Sequence, residues 1–352
     1  MPLRILHVCR CAEDPLRGDT LSALAGQRSL TQHTVQLGGA TGAGRWSLAK
    51  LRSAARRFRP DVVHAWDADS AVAATLLTGR ARRVVGLGAD ADLRRLPRTP
   101  ALRWALRRAD RVVLGAEAAR RWALRAAPRL DPARLLVAPD AVRPTGALAA
   151  ATRDEALARI AAPADARLIA IPAPLEAPCR VTELLWAADL LRVVCDEVRV
   201  LVLGAGPCRR DLIRFARLAC DLEHIRFASP GADSAWLWPH VDLVWDAGRW
   251  LCPPRWLLEA HAAGVAMVGA DAPGVQERWP DGAGFSSAAV GVHERADRIR
   301  ATVAALACQA PPWRPRGEQS VQTLEAAATR LTELYHRAAE GQSVASPGPR
   351  PA

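Results

Sequence analysis

A single acid, Glu259, stands in the apolar run GRWLCPPRWLLEAHAAG (248–264). A carboxylate there has two readings. It lies on the wet side of a helix, or it reaches into a ligand site at the helix start marked by Pro253 and Pro254. A second stretch, VRVLVLGAGPCRRDLIRFARLA (198–219), has the form of a strand, a glycine turn and a helix. Gly204 and Gly206 permit a tight turn and the close approach of a phosphate or base, and Pro207 suits a first helical position. Any strand-to-helix turn favours glycine, so two glycines do not by themselves define a nucleotide site. A dinucleotide fingerprint also needs a third glycine where Arg209 stands, which argues against a nicotinamide dehydrogenase. Arg180 opens a predicted helix, where a cation opposes the dipole; phosphate binding or plain solvation would offset that cost. His64 and Asp67 flank Trp66 at the end of a predicted strand, as cleft-lining or core residues. Glu277 follows the Gly274 turn, as a site residue or a helix cap.

Positioning such residues takes a scaffold of alternating strands and helices. Apolar strand candidates run over 3–9, 33–39, 61–66, 82–87, 110–116 and 134–140, with Arg- and Ala-rich helical patterns between them. The alternation lapses around 143–163. It resumes with strands over 167–173, 198–204, 224–229, 241–247 and 265–270. Strands apolar throughout and separated by helices indicate parallel sheets buried on both faces. The expected class is α/β, with two Rossmann-like units, 1–150 and 164–315, facing across a cleft. A helix over 319–341 is expected to cross back to the first unit, and the tail 342–352 to be disordered.

Composition bounds the partners. Half of the 352 residues are apolar, enough for a sizeable core, yet no run approaches the roughly 18–20 residues of a membrane span. The start, MPLRILHVCRCAED, has no signal-peptide pattern, so a cytoplasmic protein is expected. Eight cysteines give no paired C-x-x-C motif; Cys9-x-Cys11 alone is a thin metal signal, and structural thiols in a reducing compartment are expected. The net charge is +12, but Lys50 is the only lysine and asparagine is absent, so arginine abundance alone carries little meaning. Its distribution carries more: residues 1–150 hold 26 basic and 12 acidic residues, a net of +14, against −2 for the remainder. Such asymmetry fits an anionic surface as partner. The segment LRRLPRTPALRWALRRADR (93–111) is read as a loop and a basic amphipathic helix. It is either a solvated surface or one that docks on anionic lipid, giving peripheral attachment at the inner membrane face. No nucleic-acid partner is expected, since no recognised binding module occurs.

The order of these features resembles the family-4 (group 1) retaining glycosyltransferases of GT-B fold. The segment 200–248, with its strand, G-A-G-P, helix and D-L-V-W strand, is similar to their second domain. PPRWLLEAHAAGVAMVGADAPGVQERWPDGAGF (253–285) is similar to their P-x-x-x-L-E-A…G-x-x-E…D-G-x-x-G-F run. In the first half, D-V-V-H-A-W-D (61–67), A-D-R-V-V (109–113) and V-A-P-D-A-V (137–142) fit too. The resemblance implies hexosyl-type transfer from a nucleotide-diphosphate sugar. The donor sits on the second unit, an acceptor such as a lipid-linked or cell-envelope glycan on the first, and neither metal nor cofactor takes part. Glu259 would bind the nucleotide ribose and Arg180 the diphosphate, with Gly204, Gly206 and Gly274 shaping the pocket; no catalytic residue follows. The chain also departs from the pattern. A sugar-binding Glu becomes Leu251, followed by Cys252 and by Pro253, which has no N–H; a phosphate cation becomes Leu175, and a histidine after the fourth strand becomes Gly88. A divergent transferase and a catalytically inactive partner or scaffold of a transferase both remain open.

Overall fold

The computed structural model describes residues 1–10, 15–38, 48–77, 79–142, 152–176, 179–228, 235–270, 272–277, 292–307 and 323–341. The chain divides into two compact α/β units, Met1–Arg143 with Gln322–Ala352, and Pro144–Val321.

In unit 1 six parallel strands are β1 (Leu3–Cys9), β2 (Leu30–Gln36), β3 (Val62–Ala65), β4 (Arg82–Leu87), β5 (Arg111–Leu114) and β6 (Leu135–Val137). Their order is β2-β1-β3-β4-β5-β6, so the winding reverses between β1 and β3. The helices are α1 (Pro15–Ala25), α2 (Leu48–Phe58), α3 (Ala68–Thr75), α4 (Asp90–Arg95), α5 (Pro100–Arg108) and α6 (Glu117–Ala126). β2 begins three residues before the expected start at 33. Only Leu30 and Val35 are buried in it, so its polar LTQHTVQ is held by register with β1, from Leu3↔Leu30 to Cys9↔Gln36, rather than by an apolar pattern.

Unit 2 holds α7 (Arg153–Arg159), β7 (Arg167–Pro172), α8 (Val181–Leu191), β8 (Val198–Leu203), α9 (Arg209–Ala219), β9 (Ile225–Ala228), β10 (Leu243–Trp245), α10 (Arg255–Ala262), β11 (Ala266–Val268), α11 (Pro273–Gln276) and α12 (Val292–Ala307). Its parallel sheet has the order β11-β10-β7-β8-β9, with the reversal between β7 and β10. α7 fills part of the stretch where the sequence pattern lapses. A capping box starts it: Glu155 N–H donates to Thr152 Oγ1 at 3.3 Å, and Thr152 N–H donates to Glu155 Oε2 at 2.9 Å. Arg153 then anchors it through Asp242 at 2.7 Å and the His240 carbonyl at 2.8 Å.

The last helix, α13 (Leu324–Ala339), packs in unit 1. Its buried Ala328, Leu331, Leu334, Tyr335 and Ala338 share one core with Ile5, Leu24, Val62, Val84 and Val113. The tail 342–352 lies outside the described residues. In the basic segment 93–111, Leu93, Leu96, Leu102 and Leu106 are all buried. Several of its arginines are occupied: Arg94 pairs with Asp90, Arg95 with Asp69, and Arg103 donates to the Leu96 carbonyl. The leucines of this segment are spent on the protein core. No helix among the described residues is long and apolar enough to cross a membrane.

Candidate functional site

Ligands of doubly wound sheets bind beyond the carboxyl ends of the strands, where the strand order reverses. In unit 2 that place is framed by the loops after β7, β8 and β10. The first two are locked together through backbone. Ala173 N–H donates to the Leu203 carbonyl at 3.0 Å, Leu175 N–H to the Ala205 carbonyl at 3.0 Å, and Cys208 N–H to the Leu175 carbonyl at 2.8 Å. A Cβ on Gly204 would lie 2.0 Å from the Ala173 oxygen, and one on Gly206 2.6 Å from the Leu175 oxygen. Both glycines are therefore demanded by loop-on-loop packing. Leu175 is fully buried, and its backbone holds the glycine turn.

The loop after β10 is fixed in the same manner. Gly274 N–H donates to the Trp250 carbonyl at 3.0 Å, and a Cβ on Gly274 would stand 2.3 Å from the Leu251 oxygen. Leu251 and Cys252 are buried beside it. Sequence reasoning did not single out Asp246, the residue after β10. Its carboxylate is 2 % exposed and accepts from the Trp250 indole at 3.0 and 3.1 Å and from Gly248 N–H at 3.3 Å. Burial pushes its pKa up to about 6, against the pull of those hydrogen bonds. Its only signal in the sequence was an acid at the end of an apolar strand.

Glu259 lies on α10 and is 6 % exposed. Its Oε2 accepts from the Trp238 indole at 3.1 Å, and its Oε1 accepts from Arg255 Nε one helical turn earlier. The solvent-facing reading thus fails, and the buried charge is paired, as a buried carboxylate requires. A carboxylate offers about four acceptor positions, so two donors do not saturate it. Arg180 sits half-buried at the start of α8 with φ 52° and ψ 35°, the left-handed region, and makes no side-chain cap. That conformation costs a residue bearing a Cβ about 1 kcal/mol. Glu277 ends α11 and is exposed.

The unit-1 candidates stand in different surroundings. His64 is buried between the sheet and α13. Its Nδ1 meets the Tyr335 hydroxyl at 2.6 Å, its ring stacks on Trp66 at 4.1 Å, and its Nε2 has no hydrogen-bond partner among the described residues. Next to it, His7 Nδ1 accepts from the Trp66 indole at 3.1 Å, which leaves Nε2 to donate to Gln32 Oε1 at 3.0 Å. Burial lowers the His7 pKa to about 4, and lowers that of His64 well below the ordinary range, helped by His7 and Arg17. Asp67 caps α3: its Oδ1 accepts from Ser70 N–H and Oγ, both at 2.8 Å, and its Oδ2 from Arg10 N–H at 2.8 Å. At Gly88, the space a side chain would take is approached by the Asp140 carboxylate, 3.2 Å from an added Cβ. Among the described residues no cluster of three or more His, Cys, Asp or Glu is placed to hold a metal ion.

Residues 7–145 match Glycosyltransferase Family 4. No curated protein sequence matches the chain. Among solved structures, the chain is similar to HepE of Anabaena in complex with UDP and glucose, at 16 % identity and TM-score 0.65, over 96 % of this chain and 97 % of that one. It is similar to a glycosyltransferase of Rickettsia africae at 13 % identity and TM-score 0.72, over 96 % and 98 %. Sucrose-phosphate synthase of Thermosynechococcus elongatus aligns at 14 % identity and TM-score 0.71, over 95 % and 98 %. At these identities the likeness fixes the fold, which is that of the GT-B glycosyltransferases.

Proposed function

We propose that this protein is a glycosyltransferase that moves a sugar from a nucleotide-diphosphate sugar, held by unit 2, to an acceptor held by unit 1. The observation that carries the reading is the Glycosyltransferase Family 4 match over residues 7–145. The HepE complex makes UDP the first donor nucleotide to test. In this reading the nucleotide occupies the loops at the β7/β10 reversal. The ribose hydroxyls donate to the acceptor positions left on Glu259. Arg180 and the amino end of α9, which has no side-chain cap, balance the negative charge that develops on the departing diphosphate. No metal or resident cofactor enters the proposal, and the acceptor is not specified beyond a hydroxyl-bearing glycan or lipid-linked saccharide.

Calorimetry with UDP, GDP and UDP-glucose tests the donor site. Binding of one nucleotide in the micromolar range, weakened about tenfold by Glu259→Gln, is the expected result. No heat with any nucleotide removes the site assignment.

One observation favours a second reading, a GT-B protein that binds without catalysing. The position where the resembled family carries its sugar-binding Glu is filled by buried Leu251, and the indole of Trp250 closes over Asp246. Single-turnover transfer from a radiolabelled UDP-sugar separates the two readings, and turnover abolished by Glu259→Ala rules out the second.

A further inference from the structure

Six arginines of unit 1 meet at the edge of its sheet opposite to the one where doubly wound folds bind substrates. A cavity of about 670 Å³ opens there, between α2, the entry to β4 and the end of α13. Leu3 begins β1, Asp61 precedes β3 and Arg82 begins β4, so these lining residues mark the amino ends of three adjacent strands. Arg52, Arg56, Arg59, Arg80, Arg82 and Arg83 line the cavity, and Asp61 is the one acid among the lining residues. Asp61 is already occupied, accepting from Arg4 N–H at 2.9 Å. Val63, Leu77 and Ala339 contribute apolar wall.

Four of the six cavity arginines differ in pairing from four that stand around the carboxyl edge. Around the carboxyl edge, Arg10, Arg17, Arg94 and Arg95 all pair with carboxylates. In the cavity, Arg82 pairs with Asp110 and Arg83 donates to the Leu77 carbonyl. Arg52, Arg56, Arg59 and Arg80 are exposed and have no ion pair or side-chain hydrogen bond among the described residues.

Three of them, at 52, 56 and 59, follow the helical i, i+4, i+7 repeat, so α2 and its end present a row of like charges. α2 has no acid to offset it. Like charges at this spacing destabilise an isolated helix by about 0.2–0.5 kcal/mol per pair. Arg59 also adopts φ 47°, a left-handed helix end that glycine normally takes. A helix end does attract cations, which accounts for one or two of these residues. It does not account for Arg80, which reaches the same cavity from another element.

We propose that this cavity is a binding site for an anion carrying several phosphate groups, separate from the donor and acceptor sites. Planar guanidinium groups converging from α2 and from the β4 entry bind phosphate oxygens in pairs. The volume lies within the 300–1,000 Å³ usual for small-molecule sites. Because α13 supplies part of the wall, an occupied site ties the end of that helix to α2 and β4. A soluble polyphosphate and a phospholipid headgroup share this chemistry.

Inorganic tripolyphosphate is the probe, titrated into the full chain by calorimetry. One site is expected, with affinity falling steeply as salt rises. The triple variant Arg56→Ser/Arg59→Ser/Arg80→Ser should weaken it by tenfold or more, on the order of the loss of a few charge-assisted hydrogen bonds. Arg180→Ser, at the donor site, should change it by less than about twofold, and each groove single variant by about threefold, so the result does not depend on the triple variant folding. No binding, binding that ignores the groove variants, or binding lost with Arg180→Ser instead overturns the proposal. Co-sedimentation with phosphatidylglycerol vesicles distinguishes the sources. Release of the protein from vesicles by tripolyphosphate assigns the groove to a headgroup. Indifference to vesicles assigns it to a soluble anion. Vesicle binding that tripolyphosphate does not displace places the membrane contact elsewhere and overturns the headgroup assignment.

Discussion

The two places where the strand order reverses are built on opposite principles. In unit 1 the β1/β3 seam is filled by rings. His7 and His64 are register partners, Trp66 lies against both, and Tyr335 reaches them from α13. In unit 2 the β7/β10 reversal is framed by backbone, with glycines where loops touch and a buried acid, Asp246, at the end of β10. The first arrangement buries neutral imidazoles and resists protonation. The second buries a carboxyl group and resists ionisation. A residue type that signals chemistry in a sequence therefore serves tertiary packing in one unit and frames a candidate site in the other.

The sharpest way to break this comparison is to add one methyl group to unit 2. Gly204→Ala should cost about 3 kcal/mol or more, because the atom it meets is the Ala173 carbonyl oxygen at 2.0 Å, which no rotamer change can move aside. Urea denaturation followed by tryptophan fluorescence measures it, and near-wild-type stability would mean that the loops are not locked as described.

Acid should then separate the two units. A folded His7 titrating near 4 takes up its proton far later than an unfolded histidine at 6.5. Its stabilising contribution is complete above pH 6.5 and is lost as pH falls towards 4, by about 2 kcal/mol at pH 5. His64 acts in the same direction. Hydrogen exchange at pH 5 and pH 7.5, corrected for intrinsic rates, should show β1, β3 and α13 losing protection first, and His7→Gln should flatten the dependence.

Asp246 reverses the sign. Its folded carboxyl group titrates near 6 and its ordinary value is 3.8, so the fold holds the proton more tightly than the unfolded chain does. Unit 2 gains from this group as pH falls from about 6 to 4 and loses it on the way back up. The change between pH 7 and pH 5 is about 1 kcal/mol. Asp246→Asn should remove that slope in urea titrations across this range while leaving the unit-1 slope untouched.

The smallest expected effect is a gain. Gly18 lies in α1 with nothing within 4 Å of an added Cβ, so Gly18→Ala should stabilise the protein by about 0.5–1 kcal/mol in thermal melts. A loss there would show that glycine is needed in α1 for some reason other than space.

Much of the fold was legible. The apolar strands, the glycine turn and the final helix follow from local periodicity, and the run from Pro253 to Glu277 carried the family resemblance. Reading failed where a residue's state depends on a distant partner. β2 was misplaced because this edge strand buries only Leu30 and Val35 and is held by its register with β1. α7 was missed because its capping box stands in a stretch with no apolar rhythm. Glu259 was singled out by the sequence, but its pairing with Trp238 and Arg255 was not. Asp246 was passed over because nothing local says that Trp250 folds back on it.

The sequence by itself determined the class of the protein: two parallel-sheet units, an uneven charge, and a set of residues worth watching. The two units follow from short apolar runs, the 3.6-residue helical period and turn chemistry, which act over a few positions. Tertiary structure alone decided that His64 bonds to Tyr335, 271 residues away, and that the row of arginines on α2 meets Arg80 in one cavity. Strand order made those neighbours. It is set by the burial of whole faces, a property of the assembled sheet that no short stretch of chain contains.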